Sequence, residues 1–249
     1  MVPTTIFLDD GGVMNDNASR GPQWQRLVGE YLAPRLGGAA ADWGRANLAI
    51  FEPLYQQYLA TMHRNPDLDA AVYRAEEHDA WLRGMCDEVS VAAPADRATR
   101  VALAEETHAF VTRRVRSTYP GVVEAIRTLH AAGYCLHTAS GEHSLDLAGY
   151  LEGMGVRDCL GTLYGPDLVH AVKDSPAYYP RIFTHADLDP RQALVVDDSE
   201  AALDRAASVG AQTALCGPKP PRAPRHHYIK TLADLPDVLT GDRGAFDRP

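Results

Sequence analysis

The second half of this chain alternates between short apolar runs and amphipathic segments, and this alternation constrains the fold more than any other feature. Apolar runs typical of buried strands occupy residues 134–139, 160–164, 193–196 and 212–216. Segments with helical spacing separate them, such as the one that opens at Pro120-Gly121 and ends at Gly133. Strands that alternate with helices predict βαβ units, and therefore an α/β fold with a parallel sheet.

One further strand is predicted at the start of the chain, far from the others. Residues 5–8 form a short apolar run that ends abruptly in Asp9-Asp10-Gly11-Gly12. The long segment that follows, residues 16–118, has helical periodicity instead. We expect its aromatic residues to pack between the helices, namely Trp24, Trp43, Tyr55, Tyr58 and Trp81. The pattern therefore predicts a helical domain inserted after the first strand of the sheet domain.

The charge balance limits the partners that this chain can have. Its 24 basic residues against 33 acidic residues give a formal net charge of −9. Such a surface repels phosphate backbones and anionic lipids, so we expect no nucleic-acid or membrane partner. The four cysteines lack metal-binding spacing, and the apolar start is too short for a signal peptide. We therefore expect a cytoplasmic protein that acts on a small molecule.

Polar residues follow several of the predicted strands, and parallel strands bring their carboxyl ends to one edge of the sheet, where ligands bind. The polar groups expected at this edge are Asp9, Asp10, Ser140, Gly141, Asp197, Asp198 and, just before a predicted helix, Lys173. Carboxylates supply the hard oxygen ligands that Mg²⁺ prefers. A hydroxyl, a backbone amide and an ammonium hold phosphoryl oxygens. The set predicts a site for magnesium and phosphate.

Four motifs follow one another along the chain: Phe7-Leu8-Asp9-Asp10-Gly11, the segment Gly133 to Ser140, Lys173-Asp174-Ser175-Pro176, and Val195-Val196-Asp197-Asp198-Ser199. In this order they resemble the motifs of the haloacid dehalogenase (HAD) superfamily. The resemblance covers essentially the whole chain. It implies a Rossmann-like core formed by residues 1–15 and 119–249, and an all-α cap of the C1 type formed by residues 16–118.

The resemblance also implies roles for individual residues. Asp9 would be the nucleophile that forms an aspartyl intermediate. Ser140, Gly141 and Lys173 would bind the transferred group. The residues that would bind Mg²⁺ are Asp9, Asp197, Asp198 and, through its backbone carbonyl, Gly11. These roles make the expected function a magnesium-dependent phosphohydrolase acting on a small phosphorylated substrate.

Gly11 departs from the family pattern, because phosphatases of this superfamily carry a second aspartate there as the general acid–base. Losing a general acid typically lowers the rate by about 10² to 10⁴. The loss matters least when the leaving group needs no proton, so we expect substrates with good leaving groups. Asp10, Glu142 and His143 are candidates for a replacement acid, although Asp10 should point away from Asp9 in extended backbone.

Two other interpretations stay open from the sequence. Haloacid dehalogenases expel halide, which needs no proton, and use no metal; the chain would then take a halogenated substrate. The acidic pair Asp197-Asp198 argues against a dehalogenase, since these two carboxylates and that of Asp9 would repel one another without a cation. A catalytically inactive binding protein of the same fold is the other alternative.

Overall fold

The computed structural model describes residues 3–65, 70–223 and 225–241 of the 249-residue chain. It divides into two compact units. The sheet unit contains Met1–Asn17 and Ser117–Pro249, and the helical unit contains Ala18–Arg116. The sequence predicts these divisions after residue 15 and before residue 119.

Six strands form one parallel sheet, which confirms the predicted α/β class. The strands are β1 (Thr5–Leu8), β2 (Cys135–Ala139), β3 (Leu163–Tyr164), β4 (Ala193–Asp197), β5 (Gln212–Cys216) and β6 (His227–Ile229). Their order across the sheet is β3-β2-β1-β4-β5-β6. The first strand of the chain is therefore central, although about 130 residues separate it from its neighbour β2.

Helices supply the rest of the regular structure in the described residues. Four begin in the first half of the chain: α1 (Asn17–Leu36), α2 (Ala40–Arg64), α3 (Ala70–Val89) and α4 (Arg97–Thr112). Six follow in the sheet unit: α5 (Val122–Ala131), α6 (Ser144–Met154), α7 (Pro166–Val169), α8 (Tyr178–His185), α9 (Glu200–Ser208) and α10 (Leu235–Gly241). No helix among the described residues is both long and apolar enough to cross a membrane.

Helices cover both faces of the sheet, so its central strands are apolar throughout. In β1, Ile6 and Leu8 pack in one buried cluster with Ile126 of α5. Phe7 points the other way and packs in a second cluster with Ile182 of α8. All four residues of β1 are buried. The core therefore holds the end of β1 in a fixed place at the sheet edge.

The predicted strands agree with the observed ones to within one residue except at the two edges of the sheet, β3 and β6. β5 has the predicted bounds, whereas β3 begins three residues later than expected. The sequence does not predict β6, because it places His226 and His227 in a solvated Arg/Pro-rich connection. His226 is instead buried, and its Nδ1 lies 2.8 Å from Thr213 Oγ1. This pairing fixes the start of β6 beside β5.

The aromatic core predicted for the helical segment is only partly correct. Trp43 and Trp81 are buried, and Trp81 Nε1 donates to Asn47 Oδ1 at 3.0 Å. Tyr55 is exposed, together with Phe51 of the same helix. The prediction fails there because α2 buries the face that carries Trp43 and Asn47. Pro66-Asp67, expected to start a helix, lies outside the described residues.

Candidate active site at the carboxyl edge of the sheet

β1 ends between β2 and β4, and this position gathers the polar residues that follow the strands. Leu8 pairs with Thr138 of β2 and with Val196 of β4. The N–H of Asp9 donates to the Val196 carbonyl at 3.0 Å, so the ladder extends into the site. The parallel register thus brings the residues after these three strand ends to one edge, as predicted.

Lys173 lies in the turn before α8, and its ammonium joins two carboxylates. Nζ lies 2.7 Å from Asp9 Oδ1 and 2.8 Å from Asp197 Oδ2. Asp197 is fully buried, and its Oδ1 accepts a hydrogen bond from the Ser199 N–H at 2.9 Å. Asp197 therefore has a fixed orientation and holds the lysine against Asp9.

The charges at this edge shift the pKa values of the groups that carry them. Burial raises the pKa of Asp9; the Lys173 ammonium opposes this rise, and the Asp197 charge adds to it. Burial alone would lower the pKa of Lys173, but the Asp9 and Asp197 carboxylates outweigh it and the pKa lies above its ordinary value. Lys173 therefore stays cationic, while one lysine only partly offsets the carboxylates around it.

Asp198 is the third carboxylate of the cluster. Oxygen atoms of Asp9, Asp197 and Asp198 all lie within 4.8 Å of one another. Asp198 is open to solvent on one side, yet loss of hydration raises the pKa of its carboxyl and the Asp197 charge adds to this rise. Hard oxygen donors at this separation are the ligands that Mg²⁺ prefers, and a divalent cation would offset the excess negative charge. The side chains present therefore fit magnesium.

Ser140 is buried at the end of β2, where hydrogen bonds fix its backbone. Its N–H donates to the Tyr164 carbonyl at 3.1 Å, and its carbonyl accepts from the Tyr178 hydroxyl at 2.7 Å. Its Oγ accepts from the Glu142 N–H at 3.3 Å. Gly141 follows in an exposed bend, with no atom within 4 Å of the place of a Cβ. Both residues lie at the edge where the sequence predicts them.

Two tyrosines of α8 belong to this region, although sequence reasoning did not select them. Tyr178 and Tyr179 are fully buried, and burial raises both hydroxyl pKa values far above the ordinary range. Tyr178 joins the end of β2 to α8 through its bond to Ser140. Tyr179 lies 3.5 Å from Asp197 Oδ2. The sequence signal for both tyrosines is their position just after the lysine motif, in the helix that follows it.

Asp10 points away from Asp9, as predicted. Its carboxylate is fully buried and accepts a hydrogen bond from Asn15 Nδ2 at 2.7 Å. Asn15 Oδ1 in turn accepts from the Ser117 hydroxyl at 3.0 Å. Asp10 therefore ties the loop after β1 to the returning chain at Ser117.

A family model for haloacid dehalogenase-like hydrolases matches residues 21–210 of this chain. The match covers well over half of the sequence and includes Ser140, Lys173, Asp197 and Asp198. The chain belongs to this hydrolase family.

One relative of this HAD-like hydrolase carries the name of a phosphatase. A phosphoglycolate phosphatase of Mesorhizobium japonicum is 29% identical over 92 residues, which are 37% of this chain and 40% of that protein. The match thus spans less than half the length of that relative.

Solved structures of similar shape include an L-2-haloacid dehalogenase, with a TM-score of 0.65 and 20% identity over 96% of this chain and 100% of its own. They also include a HAD-hydrolase of Bacillus subtilis bound to magnesium, with a TM-score of 0.63 and 16% identity over 96% and 99%. At these identities the likeness concerns the fold alone.

Gly11 gives this HAD-like hydrolase no side chain at the position of the family's second aspartate. His143, a candidate for a replacement acid, makes its contacts at the start of α6. His143 Nδ1 accepts from the Leu145 N–H at 3.2 Å and caps α6. Its Nε2 lies 3.6 Å from Asp167 Oδ2. The structure therefore gives His143 a capping position, and Asp10 a buried one.

Proposed function

We propose that this hydrolase is a magnesium-dependent phosphohydrolase that transfers a phosphoryl group from a small molecule to Asp9 and then to water. The observation that carries the proposal is the cluster of Asp9, Asp197 and Asp198 around Lys173. Three carboxylates within 4.8 Å carry more negative charge than one ammonium offsets. A divalent cation and an anionic phosphoryl group together suit such a site.

The residues that would bind magnesium are Asp9, Asp198 and the backbone carbonyl of Gly11, with Asp197 beside them. When bound, the metal supplies positive charge that neutralises phosphoryl oxygens. Gly12 makes room for Asp198, since a Cβ at residue 12 would lie 2.0 Å from Asp198 Oδ2.

Each remaining step is carried by a side chain of the cluster. In the first step, a carboxylate oxygen of Asp9 forms a bond to phosphorus while the bond to the leaving oxygen breaks. The bonding electron pair departs with that oxygen. Lys173 keeps Asp9 oriented through its 2.7 Å contact, and its charge stabilises the transferred oxygens together with Ser140 and the Gly141 amide.

The second step regenerates Asp9. A water oxygen bonds to phosphorus, the bond between phosphorus and Asp9 breaks, and the electron pair returns to the carboxylate. Both protons of the water stay on the phosphate product. These two steps need no acid from the protein when the leaving group is stable as an anion. We therefore expect acyl phosphates, phosphoanhydrides and aryl phosphates to react faster than alkyl phosphates.

The relative from Mesorhizobium japonicum supports phosphoryl chemistry, because its name is that of a phosphatase. We infer that the helical unit, Ala18–Arg116, is the cap that selects the substrate. The second candidate function is metal-independent dehalogenation of a 2-haloacid. The lack of an acid at position 11 favours it, since halide leaves without a proton, whereas the carboxylate cluster favours the phosphohydrolase.

The test is release of phosphate from acetyl phosphate and p-nitrophenyl phosphate, with and without Mg²⁺. Asp9→Asn should reduce turnover by about 10³-fold or more, because it removes the nucleophile. Asp10→Asn is the matched control, since its side chain is the adjacent aspartate but points to Asn15. Turnover that survives Asp9→Asn or EDTA would contradict the proposal. Halide release from 2-haloacids in EDTA would establish the second candidate.

A further inference from the structure

The side chain of Asn17 lies where a side chain at residue 11 would be built. A Cβ placed on Gly11 would be 2.7 Å from Asn17 Nδ2, 2.8 Å from its Oδ1 and 3.1 Å from its Cγ. These separations are shorter than van der Waals contact, so the carboxamide occupies that volume. Gly11 and Asn17 both belong to the sheet unit, and Asn17 is the first residue of α1.

The place beside Gly11 is two residues after Asp9, where the family pattern carries a second aspartate as the general acid–base. The carboxylate of Asp10, between the two, is buried against Asn15, whereas that of Asp9 contacts Lys173. The Asn17 carboxamide therefore lies where the side chain of that second aspartate would begin.

The chemistry of a carboxamide differs from that of a carboxylic acid in one respect that matters here. Its NH₂ group donates hydrogen bonds and its oxygen accepts them, but it has no proton to transfer near neutral pH. A donor beside a departing oxygen stabilises the charge that develops there. It cannot convert that oxygen into a neutral alcohol.

We propose that Asn17 determines leaving-group specificity by donating a hydrogen bond from Nδ2 to the departing atom. This inference rests on the proposed attack of Asp9 on the substrate. As the bond from phosphorus to the leaving oxygen breaks, its electron pair stays on that oxygen, and Asn17 stabilises the anion without protonating it. A side chain at residue 11 would have to displace the exposed Asn17 carboxamide from this place.

The experiment measures kcat/KM for a series of aryl phosphates whose leaving groups differ in pKa, with one alkyl phosphate added. Asn17→Ala should lower kcat/KM by about tenfold more for the poorest leaving group than for the best, because that group develops the most localised charge. The plot of log(kcat/KM) against leaving-group pKa should become steeper. A residue with only a structural effect would shift the whole plot and leave its slope unchanged.

A second pair of variants, Gly11→Asp with and without Asn17→Ala, tests whether the Asn17 side chain fills the space beside residue 11. Gly11→Asp/Asn17→Ala, which frees the space and supplies a carboxyl group, should flatten the slope and raise alkyl phosphate turnover relative to Gly11→Asp alone. Asn65→Ala removes the same side chain from the end of α2 and serves as the control for stability and slope. Melting temperatures of all variants identify losses that come from unfolding.

The experiments distinguish a failure of the role proposed for Asn17 from a failure of the proposed phosphohydrolase function. If wild-type protein releases no phosphate in an Asp9-dependent reaction, the proposed function fails. The same variants are then compared on 2-chloro- and 2-bromopropionate, where a donor facing the departing halide changes the ratio of the two rates. An unchanged slope, an unchanged halide ratio, or no Asp9-dependent turnover of either substrate class would overturn the role of Asn17.

Discussion

Gly12 lies so close to Asp198 that no β-carbon fits between them: a Cβ on Gly12 would be 2.0 Å from Oδ2 of the aspartate. Gly12 also has φ +82°, a conformation that side chains disfavour. The glycine therefore closes the turn after β1 and also lets the Asp198 carboxylate approach the backbone beside Asp9.

Gly12→Ala should displace Asp198 and raise the Mg²⁺ concentration needed for half-maximal activity by about tenfold or more. The positive φ should add about 1–2 kcal/mol of destabilisation. Both quantities are measured, the first by Mg²⁺ titration of activity and the second by urea denaturation. Gly133→Ala is the matched control, because Gly133 has φ +91° with no atom within 4 Å of its Cβ position. Equal losses of Mg²⁺ response in both variants would contradict the displacement of Asp198.

The sequence was sufficient to predict that the residues after three strands lie along one edge of the sheet. Asp9, Ser140 and Asp197 each come at the end of an apolar run, and parallel strands have a common carboxyl edge. Lys173 was predicted at the same edge from its position just before a helix, and the resemblance to HAD-like hydrolases implied its role in binding the transferred group. The geometry of Lys173 against Asp9 and Asp197 agrees with that placement.

Sequence reasoning could not predict contacts that depend on the shape of a turn. The approach of Asn17 to Gly11 results from the path of the chain between β1 and α1, and no periodicity encodes it. The prediction that Tyr55 is buried is also wrong, because Tyr55 lies with Phe51 on the exposed side of α2. Periodicity indicates that a helix has an apolar face and does not say which partner covers it.

Asn15 should be important for stability rather than for chemistry. It is buried, donates to Asp10 at 2.7 Å and accepts from Ser117 at 3.0 Å. Asn15→Ala leaves the Asp10 carboxylate buried without this donor, which should cost about 2–3 kcal/mol of unfolding free energy. Urea denaturation measures the loss. A double-mutant cycle with Ser117→Ala should show coupling, and strict additivity of the two changes would refute the network.

Asp79 should stabilise the helical unit in a way that depends on pH. Its Oδ1 accepts from Arg100 Nε at 2.6 Å, and its side chain is buried on α3. The hydrogen bond from Arg100 lowers the pKa of Asp79, and the Arg83 charge contributes too. A lowered pKa means stability that is present above the ordinary aspartate range and lost as the pH falls through the folded value.

Asp79→Asn should therefore destabilise the protein by about 2 kcal/mol at neutral pH and by less in acid, as measured by urea denaturation at several pH values. Asp42→Asn is the control, because Asp42 pairs with Arg45 on an exposed surface, where an ion pair contributes little. A difference between Asp79→Asn and wild type that stays constant down to acidic pH would disprove the ion pair's contribution.

The carboxylate cluster should make the metal-free protein less stable as the pH rises. The folded-state pKa of Asp9 is raised above its ordinary value of 3.8, mainly by burial, and that of Asp198 is raised as well. The folded state then binds protons more tightly than the unfolded state does. Stability is therefore fully present below the ordinary aspartate pKa and is lost as the pH rises through the folded values. The raised pKa of Lys173 adds no dependence here, since lysine stays charged throughout this range.

In EDTA, the unfolding free energy should fall from about pH 4 to about pH 7, between the ordinary and the folded pKa of Asp9, and saturating Mg²⁺ should restore it above that range by binding the ionised carboxylates. Asp9→Asn removes one of the titrating groups, so its unfolding free energy should fall less steeply than that of wild type over the same range. Urea denaturation at each pH, with and without Mg²⁺, measures both effects. A wild-type stability that rises with pH in EDTA, or one that Mg²⁺ leaves unchanged at about pH 8, would mean that the three carboxylates do not act as a strained, metal-binding cluster.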